Sequence, residues 1–104
     1  MAAEEAAGGA AKPIKVTAEG IELELAIDPT DDYELFELLY ARFDPDATSV
    51  QRSVAAMRFY SLLLGDAYER VKRELRERHG GRLPAAAMSS FADKVIRQVR
   101  ELKN

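Results

Sequence analysis

The sequence has no cysteine and only one histidine, His79. The chain therefore offers no disulfide framework, no thiolate nucleophile and too few nitrogen and sulfur ligands to hold zinc or haem. We predict that the protein works without a metal and without a cofactor. The absence of cysteine is also typical of proteins from a reducing compartment, so we predict a cytoplasmic protein.

Long apolar runs are absent as well. No stretch approaches the roughly 20 consecutive apolar residues that span a bilayer, so we predict no membrane partner. Residues 1–11 are rich in Ala, Glu and Gly, and they lack the basic region and the apolar core of a secretory signal. From the chain length we predict a disordered tail over residues 1–11 and a single domain over residues 12–104.

The residues that usually carry catalysis are not arranged for it. His79 lies in a charged segment directly before a glycine pair, where it suits the C-terminal end of a helix. The acidic pairs Asp31–Asp32 and Asp44–Asp46 each occur where a helix cap or a turn explains them. The glycine pairs lack the strand–loop–helix setting of a phosphate-binding loop. We predict that the protein is not an enzyme.

Charge is divided unevenly along the chain. Residues 1–50 carry 12 acidic and 3 basic residues, whereas residues 51–104 carry 6 acidic and 12 basic residues. One interpretation is that these are solvated helix faces with complementary charges within the protein or between subunits. The other interpretation is a basic surface that attracts an acidic partner.

Residues 12–28 are predicted to form a β-hairpin. Apolar and polar side chains alternate on both sides of Glu19 and Gly20, which indicates two strands with one covered face. A two-residue turn at this point pairs apolar residues on one face and polar residues on the other. The predicted cross-strand pairs are Ile14 with Leu25, Lys15 with Glu24, Val16 with Leu23, Thr17 with Glu22, and Ala18 with Ile21.

Four helices are predicted to follow the two-stranded antiparallel hairpin, which gives an α+β fold class that is mainly α. We expect N-caps at Thr30, at Thr48 or Ser49, and at Asp66. Glycines are expected to end the second and third helices. The predicted ranges are Asp31 to Phe43, Val50 to Leu64, Ala67 to His79, and a last helix that begins between Pro84 and Ser90 and ends near Leu102.

Three of these helices carry strong apolar patterns. On the first helix an apolar row is interpreted as core packing rather than as a ligand site; it comprises Phe36, Leu39, Tyr40 and Phe43 and is widened by Leu35 and Leu38. The second helix is apolar around most of its circumference, so we expect part of it in the core and part against a partner. The last helix has the cleanest amphipathic stripe, which is formed by Met88, Phe91, Ala92, Val95, Ile96, Val99 and Leu102.

The third helix raises nucleic-acid binding as an alternative function. Its basic residues would lie along phosphates; they are Arg70, Lys72, Arg73, Arg76 and Arg78, with Arg82 after the helix. Against this, three glutamates are interspersed, the sequence pI is near 5.2, and Tyr68 is the one aromatic residue among them. We favour a solvated helix face for this segment.

Residues 62–72 (Leu-Leu-Leu-Gly-Asp-Ala-Tyr-Glu-Arg-Val-Lys) lead into this charged helix, and a Gly-Gly-Arg-Leu-Pro turn follows it. With the hairpin, the acidic helix start at residues 31–35, and a final amphipathic helix that ends in Lys103-Asn104, this order of segments resembles the tail assembly chaperones of actinobacterial siphophages and their prophages. The resemblance covers residues 14–104. The longer, more apolar second helix with Phe59-Tyr60 departs from the family pattern.

The resemblance implies a non-enzymatic chaperone that binds the tape-measure protein during tail morphogenesis in the host-cell cytoplasm and that self-associates as a homo-oligomer. The expected contact is apolar helix surface. The candidate partner-binding residues are Phe59, Leu63, Phe91, Val95, Ile96 and Val99. The alternatives are a small nucleic-acid-binding regulator that uses the basic helix 67–79, and a generic protein-interaction adaptor.

Overall fold

The computed structural model describes residues 12–103, so the tail predicted over residues 1–11 lies outside the described residues. An antiparallel hairpin is formed by β1 (Ile14–Ala18) and β2 (Ile21–Leu25). Four helices follow. The second and third of them are joined without a loop by a 3₁₀ turn (Gly65–Ala67), so these two can also be counted as one interrupted helix. The predicted hairpin followed by helices is confirmed. The helices are α1 (Tyr33–Arg42), α2 (Ser49–Leu64), α3 (Tyr68–Arg78) and α4 (Ala85–Lys103).

The hairpin has the predicted register in every pair. Its two turn residues both have positive φ, 51° at Glu19 and 78° at Gly20, as a type I′ turn requires. A glutamate is uncommon in this conformation. Side chains from two helices hold it there, because Arg78 donates to the Glu19 carbonyl at 2.7 Å and Lys94 donates to the Glu19 carboxylate at 3.2 Å. The turn is therefore tied to both α3 and α4.

The core lies between the apolar face of the hairpin and one face each of α2, α3 and α4. Helix α4 packs along β1. The stripe predicted on the last helix is buried over most of its length, at Met88, Ala92, Val95 and Val99, while Leu102 at its end is 60% exposed. Full burial of a Val or Phe side chain contributes about 1.5–3 kcal/mol relative to leaving it exposed. Helix α4 is thus a main contributor to the stability of the domain.

The ends of α2 and α3 follow the sequence signals in part. Thr48 caps α2 in a reciprocal capping box with Gln51, at 3.0 and 2.8 Å. Gly65, with φ of 53°, ends α2, and Gly81 donates its N–H to the carbonyl of Arg76 beyond the end of α3. The predicted cap at Asp66 is wrong. Because the 3₁₀ turn leads directly into α3, Asp66 lies inside that turn and no side chain caps α3.

The loop between β2 and α1 closes around Asp28. One carboxylate oxygen accepts the backbone N–H of Thr30 at 2.9 Å and its hydroxyl at 2.6 Å, and the ammonium group of Lys103 donates to the other oxygen. Thr30 was predicted to cap α1, and this is wrong, because its hydroxyl is engaged by Asp28. Asp32 caps α1 instead by accepting the N–H of Leu35 at 3.0 Å. The hydrogen bonds from Lys103 and then Thr30 lower the pKa of Asp28 from 3.8 to about 2.

Asp28→Asn is expected to lower the free energy of unfolding by about 1 kcal/mol at neutral pH, because it replaces a charge-assisted contact between partly exposed groups. The folded-state pKa lies below the unfolded one. The carboxylate therefore contributes fully above about pH 5, and its contribution is lost as the pH falls from about 4 towards 2. Urea unfolding at several pH values measures this difference.

The matched control is Asp31→Asn, because Asp31 is exposed and its side chain has no hydrogen-bond or ion-pair partner among the described residues. We expect this variant to unfold like the wild type at every pH. A loss for Asp28→Asn that stays constant from pH 7 down to the lowest pH at which the protein folds would contradict the assigned role of the carboxylate charge.

Candidate protein-binding surface

Helix α1 presents a row of large apolar side chains to solvent. Tyr33, Phe36, Leu39, Tyr40 and Phe43 are between 38% and 74% exposed. Their spacing of three and four residues places them along one side of the helix, and we call this row the aromatic stripe. It contains four of the eight Phe and Tyr residues of the chain. Half of the chain's aromatic side chains are therefore outside the core or at its edge.

The interpretation of Phe36, Leu39, Tyr40 and Phe43 as core packing is wrong. Within α1, Leu35 is the one fully buried side chain, and Leu38 is half-buried. The helix is apolar on two sides, and each side has helical periodicity. Periodicity shows that a face is apolar, but with two such faces it does not show which of them packs inward.

Arg42 fixes the C-terminal end of α1 on the rest of the domain. Its guanidinium carbon lies 4.8 Å from the ring centre of Phe43, 5.2 Å from that of Tyr60 and 5.8 Å from that of Phe59. The guanidinium group also donates to the hydroxyl of Ser89 at 2.9 Å. Cation–π contacts of this kind contribute about 0.5–2 kcal/mol. One side chain therefore joins α1 to both α2 and α4.

Helix α2 carries a second exposed apolar row. Val50, Val54 and Met57 follow one another at spacings of four and three, and each is at least 43% exposed. On its other sides α2 buries Phe59, Leu63 and further core residues. The expectation that part of α2 packs in the core is confirmed, and the part that is expected against a partner is exposed in the described chain.

A small cavity of about 260 Å³ borders the aromatic stripe. Helix α1 contributes Phe36 and Leu39 to its lining, α2 contributes Phe59, and α4 contributes Ile96 and Arg100. The apolar surface of α1 therefore extends across this cavity to Ile96, which is half-buried.

Ile96 is the one predicted partner-binding residue that keeps some exposure. The other five are at most 2% exposed and belong to the core: Phe59, Leu63, Phe91, Val95 and Val99. They cannot contact a partner while the domain is folded, because the hairpin and the neighbouring helices cover them. Four of the six candidates lie on the helix with the cleanest apolar stripe, and that stripe packs into the core. The sequence feature that could have located the exposed surface is a helix with two apolar faces beside a run of acidic residues.

The basic residues of α3 serve the fold in part. Arg70 donates to the carbonyl of Glu22 on β2 at 2.8 Å, and Arg78 holds the hairpin turn. Lys72 lies 3.1 Å from the carboxylate of Glu69 and 4.5 Å from the ring centre of Tyr68. Three of the basic residues considered for phosphate binding, Arg70, Lys72 and Arg78, are therefore engaged in intramolecular contacts.

The polar groups considered for catalysis occupy structural positions. His79 is exposed at the C-terminal cap of α3, and Asp44 accepts the backbone N–H of Asp46 at 2.9 Å, as a turn residue does. Over residues 12–103 no three or more His, Cys, Asp or Glu side chains are grouped so that they could hold a metal ion. In the same range, no helix is long and apolar enough to cross a membrane.

No protein-family model, curated protein or solved structure matches this chain.

Proposed function

We propose that the protein is a non-enzymatic tail assembly chaperone-like protein, which holds helical segments of a tape-measure protein on the apolar surface of α1 while phage tails assemble in the host cytoplasm. The observation that carries this proposal is the aromatic stripe. A small domain has few large apolar side chains to form its core, so aromatic residues that stay exposed contribute no burial energy to folding, and a contiguous exposed patch of them is typical of an interaction site.

The area of the stripe suits a helix. With about 200 Å² for a whole aromatic side chain, the exposed fractions correspond to about 500 Å² of apolar surface. A partner that covers it would bury about 1,000 Å² in total, which is the lower limit for a specific interface. An apolar helix face placed against such a row is one of the recurring modes of peptide recognition.

Self-association belongs to the same proposal. The second apolar row, Val50, Val54 and Met57 on α2, is available for contacts between copies while α1 holds the partner. Light scattering after size exclusion, over a range of protein concentrations, is expected to show a homo-oligomer. A strictly monomeric protein that also retains no tape-measure segment would refute the proposed function.

Capture of tape-measure segments is expected to depend on the stripe. The double variant Phe36→Ser/Tyr40→Ser should weaken retention of co-expressed segments at least tenfold, because it removes two rings from the middle of the stripe. The matched control is Leu102→Ser, which removes a similarly exposed apolar side chain from the end of α4. Equal retention by the double variant and the control would place the contact elsewhere.

Nucleic-acid binding through α3 is the alternative, since Arg73, Arg76 and Arg82 are exposed. A gel shift at low salt tests it. We expect no shift with the intact protein, and a shift that Arg73→Glu/Arg76→Glu abolishes would favour this alternative.

A further inference from the structure

The acidic residues of the described chain differ in their surroundings. Some of them form ion pairs within the fold, as Glu19 does with Lys94 and Asp28 does with Lys103. The exposed carboxylates of α1 and its flanking turns do not. No lysine or arginine of residues 12–103 lies within ion-pair distance of these residues, which are Asp31, Glu34, Glu37 and Asp46.

The unpaired carboxylates of α1 and its turns surround the aromatic stripe. Residues 31–46 contain six acidic residues and one basic residue, Arg42. Arg42 is occupied by three aromatic rings and Ser89. On the α4 side, Arg100 lines the cavity next to the stripe. Asp31 and Asp46 at the two ends of the stripe, and Glu34 and Glu37 along α1, therefore carry negative charge that no ion pair in the described fold compensates.

We propose that the occupant of the stripe is an amphipathic helix with lysine or arginine residues beside its apolar face. This inference rests on the proposed function and specifies its partner. Basic side chains on such a helix meet the free carboxylates of α1, and the desolvated apolar faces meet each other. Complementary charge of this kind sets orientation and speeds association, and like charges across the interface weaken the binding of a wrong partner.

The same charge pattern disfavours a second copy of this chain as the occupant. A symmetric dimer places the same patch of both copies together. Packing the stripe on itself would bring two acidic rims into contact, and like charges across an interface are unfavourable. Any contact between copies is therefore assigned to a surface other than the aromatic stripe.

Synthetic peptides test the inference directly. Three helical peptides of about 18 residues, roughly 27 Å long, share one apolar face and carry Lys, Gln or Glu at the positions beside it. A fourth has the Lys composition in scrambled order without an apolar face. With the full chain and isothermal titration at low salt, we expect the Lys peptide to bind at least tenfold more tightly than the Glu peptide. The scrambled peptide should not bind.

High salt and charge-reversal variants distinguish charge complementarity from non-specific apolar binding. The preference for the Lys peptide should shrink at about 1 M salt, where screening acts over about 3 Å. The variant Glu34→Lys/Glu37→Lys should prefer the Glu peptide, and Glu34→Gln/Glu37→Gln should lose most of the preference. Circular dichroism checks that both variants keep their helices.

Each result has one consequence. Equal binding of the Lys, Gln and Glu peptides would overturn the inference about charge and leave the proposed function standing. If no peptide binds while tape-measure segments are still captured through Phe36 and Tyr40, the inference also fails and the function stands. If neither peptides nor tape-measure segments bind, both fail. Dimerisation that Phe36→Ser/Tyr40→Ser abolishes would show that a second copy occupies the stripe and would overturn the inference.

Discussion

Phe91→Ala is expected to lower the free energy of unfolding by about 3–5 kcal/mol, which is a large part of the stability of a domain of this size. Phe91 is fully buried in the middle of α4, which packs along β1. Removal of the ring deletes core contacts and leaves a cavity that the hairpin and the helices can only partly fill. Urea unfolding followed by circular dichroism measures the change.

The control for Phe91→Ala is Tyr40→Ala, which removes a ring of similar size from a position that is 72% exposed. We expect it to change the stability by less than about 1 kcal/mol. If Phe91→Ala does not fold, Phe91→Leu provides a smaller step, with an expected loss of less than about 1.5 kcal/mol. If Phe91→Ala and Tyr40→Ala lower the free energy of unfolding by similar amounts, Phe91 is not buried in the core. It would then remain a candidate partner-binding residue.

The hairpin shows what a sequence of this kind predicts well. Its pattern repeats every two residues, and the turn has a defined length. A shift of one residue would exchange the apolar and polar faces of one strand, so a single register satisfied both faces. The pairing of Lys15 with Glu24 and of Val16 with Leu23 is therefore predictable from local chemistry, and the structure has it.

Helix α1 shows where the same reasoning fails. Leu35 on one side and Tyr40 on another both belong to apolar rows with helical spacing, and only the tertiary contacts decide which row is covered. A local and a long-range contact together decided the capping residue. Thr30 and Asp32 are both good caps, but the Thr30 hydroxyl donates to Asp28, and Lys103, which is 73 residues further along the chain, donates to the same hydroxyl. Local sequence contains no information about that contact.

The candidate site was missed for a related reason. Four of the six candidate partner-binding residues lie on the helix with the cleanest stripe, but a clean stripe is what a core helix needs. Surface that stays exposed is distinguished by its surroundings rather than by its periodicity. Here the distinguishing feature is the excess of acidic residues in and around Tyr33–Arg42, six against one basic residue over residues 31–46.

Leu35→Ala is expected to release α1 from the domain while the rest stays folded. Leu35 is 1% exposed and is the one fully buried side chain of α1, and this helix packs chiefly on α2. The substitution costs about 2–5 kcal/mol of packing. A helix of 10 residues is marginal in water without such packing. Amide hydrogen exchange should show α1 unprotected, whereas the hairpin and α4 keep their protection.

The same variant connects packing to binding, because the aromatic stripe exists only while α1 is helical and docked. The Lys peptide should bind at least tenfold more weakly to Leu35→Ala, although no stripe residue is changed. The matched control for stability is Leu39→Ala, which removes the same atoms from a position that is 38% exposed. It should cost less than about 1.5 kcal/mol and leave α1 protected. If Leu35→Ala instead lowers protection equally in all elements, α1 unfolds only with the whole domain, and the binding surface shares the stability of the core.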